Sequence, residues 1–362
     1  MPYHNLFTSL ELAGLRLPNR AVMPPMVVWE ATEEGLVTPE VVENYRRAGG
    51  PGMVIVEASA VSPEGRLDRR QIGIFEDRQV EGLAEIAALI HKTGAAASIQ
   101  IHHAGRNTNR GNTVGLPLVA PSALAAKSGA SPDDIPTALD EQGINRILDC
   151  FAAAARRALE AGFDAVEIHG AHGYLVSQFR SPLANVRQDS WGGSLHNRAR
   201  FLREAHNRIR KACGGKILVS CRLGAADSAG GLTVEEGIQV ARWLAEDGMP
   251  YLHISTGIGD PPRLAPEGSP WSDRLLLGAL VQKAVQIPVI GVGDLVTPEQ
   301  AEKALADGLV KLVAIGRGLL ADPRWVVKAR EDRADTIHLC HRCRVCHHFR
   351  HAERCPARKE GA

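Results

Sequence analysis

Short apolar runs rich in β-branched residues alternate along this chain with stretches of helical period, from about residue 20 to residue 330. That rhythm predicts a parallel sheet whose strands are joined by crossover helices. Eight strands are expected, at Arg20–Met23, Met53–Glu57, Ala95–Ile101, Ala165–Ile168, Ile217–Arg222, Tyr251–Ser255, Pro288–Gly291 and Leu312–Gly316. The clearest helix spans Glu141 to Glu160, where Ile144, Ile147, Leu148, Phe151, Ala154, Ala155, Ala158 and Leu159 form one apolar stripe and Gly162 stops it. Further helices are expected to start after Thr38-Pro39, Thr233 and Thr297-Pro298, where a hydroxyl cap meets a proline or an acidic first turn. Eight strand and helix pairs in roughly 330 residues fit a closed (β/α)8 TIM barrel with its active site at the strands' carboxyl ends. A doubly wound open sheet is the alternative. With no short-period repeat and no low-complexity linker, residues 1–330 are expected to form one barrel, followed by a cysteine-rich extension over residues 331–362.

Composition adds mainly exclusions. The 362 residues are 44% hydrophobic and 23% charged, which is ordinary for a globular chain with a sizeable core. A formal charge of +1 supplies no global field to recruit nucleic acid or an anionic membrane surface. Residues Met1 to Leu10 lack a basic segment followed by an apolar one, and no run approaches the ~18 apolar residues of a spanning helix. A cytoplasmic protein is expected. Of seven cysteines, Cys150, Cys213 and Cys221 are scattered, while Cys340, Cys343, Cys346 and Cys355 crowd the tail, a distribution that suits metal ligation better than disulfides.

The densest candidate chemistry is Val166-Glu167-Ile168-His169-Gly170-Ala171-His172-Gly173-Tyr174. A buried strand ends there in a glycine turn that presents two imidazoles and a phenol. His169 and His172 can each offer an N–H to one anionic oxygen, and Tyr174 carries a proton it could surrender. Such a set suits a carbonyl that gains charge during reaction, although a histidine pair can also cap a helix or bind zinc. Other strand ends add to it. Pro24-Pro25-Met26 fixes an extended backbone after the first strand. Gln100, in Gln100 to Arg106, offers a bidentate amide edge, with a buried structural amide as the alternative role. Arg222 brings a fixed cation that could face an electron-rich ring or form an ordinary ion pair. Gly291 and Gly293 at the end of the seventh strand, with Gly316-Arg317-Gly318 at the end of the eighth, let backbone N–H groups approach an anion closely, and barrels commonly bind phosphate there.

Taken together, these residues resemble the old yellow enzyme family of FMN oxidoreductases across Leu6 to Pro323. The likeness is carried by Pro18-Asn19-Arg20 with Met23-Pro24-Pro25-Met26, by Gln100 to Arg106, and by His169-x-x-His172-x-Tyr174. Arg187-x-Asp189-x-Trp191-Gly192-Gly193-Ser194 with Asn197-Arg198, Arg222 and Gly316-Arg317 complete it. The resemblance implies that Pro25, Met26, Ala58, Gln100 and Arg222 surround the isoalloxazine, and that Gly293, Gly316 and Arg317 hold its phosphate. It further implies that His169 and His172 bind the substrate oxygen and that Tyr174 donates a proton. The expected activity is reduction of an activated C=C bond with NAD(P)H as electron donor, by a small-molecule enzyme that forms a homo-oligomer. At two places in the substrate pocket the chain departs from bacterial relatives with this histidine pair: Val27 stands where a cysteine is usual, and Trp29 where a tyrosine is usual.

The tail, Cys340-x2-Cys343-x2-Cys346-x8-Cys355-Pro356, resembles the segment that binds a 4Fe-4S cluster in the multidomain branch, including trimethylamine dehydrogenase and 2,4-dienoyl-CoA reductase. Structural zinc is the alternative, because four cysteines with His341, His347, His348 and His351 nearby also suit that ion. A cluster here is expected to take its electrons from another protein or subunit. Two other readings compete. An oxidative, amine-dehydrogenating barrel is disfavoured by a histidine pair suited to an anionic oxygen. A non-enzymatic one makes the basic tail, with Arg342, Arg344, Arg350, Arg354 and Arg358, a zinc-knuckle surface for nucleic acid or a partner.

Overall fold

The structure is a computed structural model that describes residues 2–126, 131–346 and 354–359. Eight parallel strands close into a barrel: β1 (Ala21–Met23), β2 (Met53–Ala60), β3 (Ala96–His102), β4 (Ala165–Gly170), β5 (Leu218–Gly224), β6 (Leu252–Ser255), β7 (Val289–Val292) and β8 (Leu312–Ala314). Each strand pairs with its successor in sequence, and β8 returns to β1 through Val313↔Ala21 and Ala314↔Val22. That last pairing overturns the open sheet. All eight expected strands are present. β2 runs beyond Glu57 because the register shifts between Val56 and Ser59, a bulge that adds length and re-aims side chains. β8 stops before the expected Gly316, which begins the turn into the helix Arg317–Ala321.

The helices form where the caps are. Glu141–Glu160 matches the expected span, with the Asp140 carboxylate accepting from the Gly143 N–H at 2.7 Å. Thr233 and Thr297 each close a capping box with Glu236 and Gln300, which satisfies first-turn N–H groups that a helix leaves orphaned. The apolar stripe Ile144, Ile147, Leu148, Phe151 and Ala155 is fully buried against the barrel's outer core. Among the described residues no helix is long and apolar enough to cross a membrane.

The barrel interior is divided by chemistry. At the amino ends of the strands, a hairpin of Leu10–Leu12 and Leu15–Leu17 plugs the barrel. Its Leu12 and Leu17 pack with Val22, Met53, Ile55, Tyr251, Ile290 and Leu312 in one buried cluster. Each such leucine contributes about 1.5–3 kcal/mol by burial. Toward the carboxyl ends the interior turns polar, with Ser98, Gln100, Glu167, Ser220 and His253 all buried. Register explains the grouping, since Gln100 lies opposite Glu167, His169 opposite Arg222, and Arg222 opposite His253. The hairpin, the short helix Leu175–Arg180 and the parallel pair Val119–Ala120 with Thr137–Ala138 are additions that hydrophobic period did not signal.

Candidate active site

β4 delivers the histidine pair. After Gly170 the chain enters the left-handed region at His172 (φ 57°) and Gly173 (φ 74°), so the backbone reverses within a few residues and Tyr174 leads into the helix Leu175–Arg180. Arg180, fully buried, ties the turn down by donating to the carbonyls of Gly170 and, at 2.9 Å, Gly224. Gln178 donates to the Gly173 carbonyl at 2.7 Å. The result is a compact aromatic group: ring centroids of His169 and His172 lie 5.2 Å apart, and those of His169 and Tyr174 4.9 Å apart, both edge to face.

Protonation follows from burial. Desolvation pushes both imidazoles well below the usual histidine value, and neighbouring cations, Arg222 among them, add to this. Both are therefore neutral near pH 7, and each has one N–H to give. The Ala171 N–H donates to His169 Nδ1 at 3.4 Å, which leaves the ring proton on Nε2. His172 Nε2 lies 2.8 Å from Ser255 Oγ, so that hydroxyl governs which nitrogen of His172 carries the proton. Burial raises the Tyr174 phenol, which stays protonated as a donor must.

Beneath these rings lies a buried polar network. Gln100 Nε2 donates to Glu167 Oε1 at 2.7 Å, and His253 Nδ1 lies 2.9 Å from Glu167 Oε2, with both side chains of the latter pair fully buried. Glu167 favours the charged form of Arg222 against the opposing effect of burial. Arg222 Nε has no partner among the described residues, a buried donor left for a ligand acceptor.

Pro24, Pro25, Met26, His172, Arg222, Ser255 and Arg274 line one cleft of about 330 Å³, together with residues 292–296 from the end of β7 onward and Gly316 and Arg317 after β8. Arg222, Arg274 and Arg317 face a single acid there, Asp294, which pairs with Arg317. Gly293 adopts φ 140°, and a Cβ on it would lie 2.3 Å from Ser272 Oγ. The orphaned Arg222 donor, the arginine-rich lining and the glycine-walled end fit a flavin ring and its phosphate.

Pro25, Met26, His172, Arg222, Gly293, Gly316 and Arg317 thus line one cleft. His169 and Tyr174 join them through ring contacts, and Gln100 sits beneath, held by Glu167. Ala58 is buried in the β2 bulge, near the end of the strand. Val27 and Trp29 continue the Pro24–Met26 segment, half-buried, but they do not line this cleft. Sequence reasoning assigned no role to Glu167, His253, Ser255, Arg274, Asp294 or His102. The His102 ring, 4.6 Å from Tyr174 and 5.1 Å from His169, is pushed down to about 3 by burial and by His103. Its signal was the two-residue alternation from Gln100.

The tail offers four thiols, a donor set suited to iron or zinc, but it does not gather them. Among the described residues no group of three or more His, Cys, Asp or Glu is placed to hold a metal ion, and Cys340, Cys343, Cys346 and Cys355 are partly to largely exposed free thiols. His347, His348, Arg350 and His351 lie outside the described residues. The tail does dock at the cleft. Arg342 donates to the Asp294 carbonyl at 3.5 Å, and Arg358 donates to the Leu320 carbonyl at 2.8 Å.

Residues 5–336 match the NADH:flavin oxidoreductase / NADH oxidase family. An NADH oxidase of Thermoanaerobacter brockii is 41% identical over 350 residues, covering 95% of this chain and 53% of that protein. An NADPH dehydrogenase of Halalkalibacterium halodurans is 37% identical over 338 residues, 92% of this chain and 96% of its own. Among solved structures, a 2-naphthoyl-CoA reductase complex superposes with a TM-score of 0.85 at 28% identity, covering 93% of this chain and 54% of its own. Morphinone reductase superposes at 0.78 with 30% identity, covering 92% of both chains. This chain therefore spans about half the length of that NADH oxidase and of that CoA-thioester reductase. With eight strands closed around a cleft of this composition and a family match over nearly the whole barrel, the chain belongs to the NADH:flavin oxidoreductase / NADH oxidase family, the old yellow enzymes.

Proposed function

We propose that this protein is an FMN-dependent ene reductase that takes reducing equivalents from NAD(P)H and reduces the C=C bond of α,β-unsaturated carbonyl compounds in a ping-pong cycle. The observation that carries the reading is the set of three neutral donors, His169, His172 and Tyr174, within ring-contact distance at the carboxyl end of β4. When bound, the flavin supplies hydride to the substrate's β-carbon and is restored by hydride from the nicotinamide.

His169 and His172 hold the carbonyl oxygen and stabilise the negative charge that grows on it as the alkene is reduced. Being neutral, they bind the oxygen without forming a fixed ion pair with it, and their burial strengthens each hydrogen bond at the moment charge appears. Pinning that oxygen also orients the alkene, an entropic contribution paid on binding. Tyr174 gives its proton to the α-carbon. Gln100, positioned by Glu167, and Arg222 face the flavin ring, while Gly293, Gly316 and Arg317 hold its phosphate. Val27 and Trp29, which follow the lining residues Pro24–Met26 without lining the cleft themselves, are assigned to the substrate side on the family resemblance, where tryptophan would make the pocket narrower and more apolar than tyrosine.

The tail thiols, spaced for a 4Fe-4S cluster, are proposed as its ligands on spacing and donor chemistry, supported by docking of the tail at the cleft. No step is routed through that cluster, and a redox partner protein belongs to the same proposal. Anaerobic purification with an absorption spectrum, iron, sulfide and zinc analysis, and sequential addition of NADPH, NADH and cyclohexenone tests the whole reading. Flavin bands bleached by a nicotinamide and restored by the enone are expected. A flavin that cyclohexenone cannot reoxidise would sink it. Replacing both His169 and His172 with alanine is expected to abolish enone reduction with FMN still bound, whereas loss of flavin would make the pair architectural.

A further inference from the structure

Residues 24–29 pass from the end of β1 along the wall of the cleft without secondary structure, and Pro24, Pro25 and Met26 line that wall. Among the described residues the backbone of this segment makes one hydrogen bond, from the Val28 N–H to Glu57 Oε2 at 3.1 Å. The next residue, Trp29, stands at φ 57°, a left-handed conformation that a bulky side chain adopts only when its surroundings impose it. The other anchors come later, where Thr38 donates to the Glu30 carbonyl at 2.7 Å and the Ala31 N–H to the Arg70 carbonyl at 3.2 Å.

Glu57 is an unusual anchor. It lies in the β2 bulge, next to Ala58, and is 1% exposed. Its other oxygen accepts from the Tyr45 hydroxyl at 3.3 Å, and that hydroxyl accepts the Glu57 N–H at 2.9 Å, so the helix Pro39–Arg47 braces it from outside the barrel. No arginine, lysine or histidine pairs with it among the described residues. Burial pushes the carboxyl up to about 8, and the nearby charge of Glu30 acts the same way. A buried acid without a cation is costly and calls for an explanation.

We propose that Glu57 is a positioning residue that clamps the Val28 N–H and so fixes the cleft wall of residues 24–26 and the strained pose of Trp29 on the substrate side. The assignment rests on the ene reductase reading for the substrate it serves, but the clamp itself does not depend on that reading. Without the clamp, the segment has no hydrogen bond between β1 and Glu30, and the backbone strain at Trp29 is released by a change in its φ, which carries the indole to a new direction. An acceptor is what the site requires, so glutamine should serve and alanine should not.

Two measurements on the holoenzyme test this. Hydrogen–deuterium exchange of peptides covering residues 24–31 is expected to quicken in Glu57→Ala and to stay at the wild-type rate in Glu57→Gln. Titration of the oxidised enzyme with cyclohexenone, read by flavin absorbance, is expected to give a dissociation constant about tenfold weaker for Glu57→Ala, the cost of one lost buried hydrogen bond. Glu57→Gln should bind within about threefold of wild type. In a Trp29→Ala background the Glu57→Ala effect should largely vanish, because the two changes act on one segment. Unchanged exchange in Glu57→Ala overturns the clamp, as does an equal loss of binding in both backgrounds. If wild type fails to bind cyclohexenone, the functional reading falls while the exchange experiment still decides the clamp. If Glu57→Ala does not fold, Tyr45→Phe, which removes the brace, is expected to quicken exchange over 24–31, and an unchanged rate there overturns the proposal.

Discussion

Replacing Glu167 is the sharpest test of how the barrel interior supports the site. Its two oxygens are the partners of Gln100 Nε2 at 2.7 Å and His253 Nδ1 at 2.9 Å, in a layer that is fully buried. Glu167→Ala strands both groups away from water, and each orphaned buried polar group costs about 1–3 kcal/mol, so the loss is expected to be roughly 2–6 kcal/mol. That is a large share of the about 5–15 kcal/mol that holds a typical domain together. Glu167→Gln separates charge from hydrogen bonding. Its amide oxygen can accept from Gln100, and its amide nitrogen can donate to His253 Nδ1 once the imidazole proton sits on Nε2, a nitrogen with no partner among the described residues. The glutamine variant should therefore lose less than about 1 kcal/mol. It also removes a buried negative charge beside Arg222, so the flavin's reduction potential should rise in the holoenzyme. Urea unfolding of flavin-free protein followed by circular dichroism measures the first effect without a ligand contribution. An alanine variant within about 1 kcal/mol of wild type, or a glutamine variant as unstable as alanine, would refute the account.

Other consequences follow from the same geometry. Gly293→Ala puts a Cβ 2.3 Å from Ser272 Oγ at φ 140°, so FMN binding, read by recovery of flavin fluorescence on dilution, should weaken by at least about tenfold. Tyr174→Phe should leave NAD(P)H oxidation rates near wild type and slow enone turnover by about 10²-fold or more, measured as separate half-reactions in stopped flow. Equal slowing of both would remove the phenol from its assigned role. The raised Glu57 acid makes stability pH-dependent in a defined direction. Its value near 8 in the folded chain exceeds the ordinary 4.5, so the stability it contributes is complete below 4.5 and is lost as pH rises through 8. Between pH 5 and 8 wild type should therefore lose more unfolding free energy than Glu57→Gln, with a slope difference of up to about 1.4 kcal/mol per pH unit.

What the chain determined by itself is local. The span Glu141–Glu160, the threonine caps at 38, 233 and 297, and all eight barrel strands follow from periodicity and from side chains that satisfy nearby N–H groups. The histidine pair and Tyr174 were legible for the same reason, since they share one strand end, and the glycines after β7 and β8 marked the end of the cleft to which the phosphate is assigned under the proposed function. Tertiary structure decided what lies between strands. Closure depended on β8 finding β1, nearly three hundred residues away in sequence, which no local pattern encodes. Register placed Glu167 opposite Gln100, and barrel curvature brought His253 to its other oxygen, so that a glutamate lying within the best motif of the sequence acquired its role from two other strands. The same holds for His102 against Tyr174, for Arg274 in the cleft and for Glu57 beneath Val28. Each is an ordinary residue in its own segment, and each gains its contacts from a neighbour that only the folded chain supplies, because hydrogen bonds and desolvation act through space and not along the sequence.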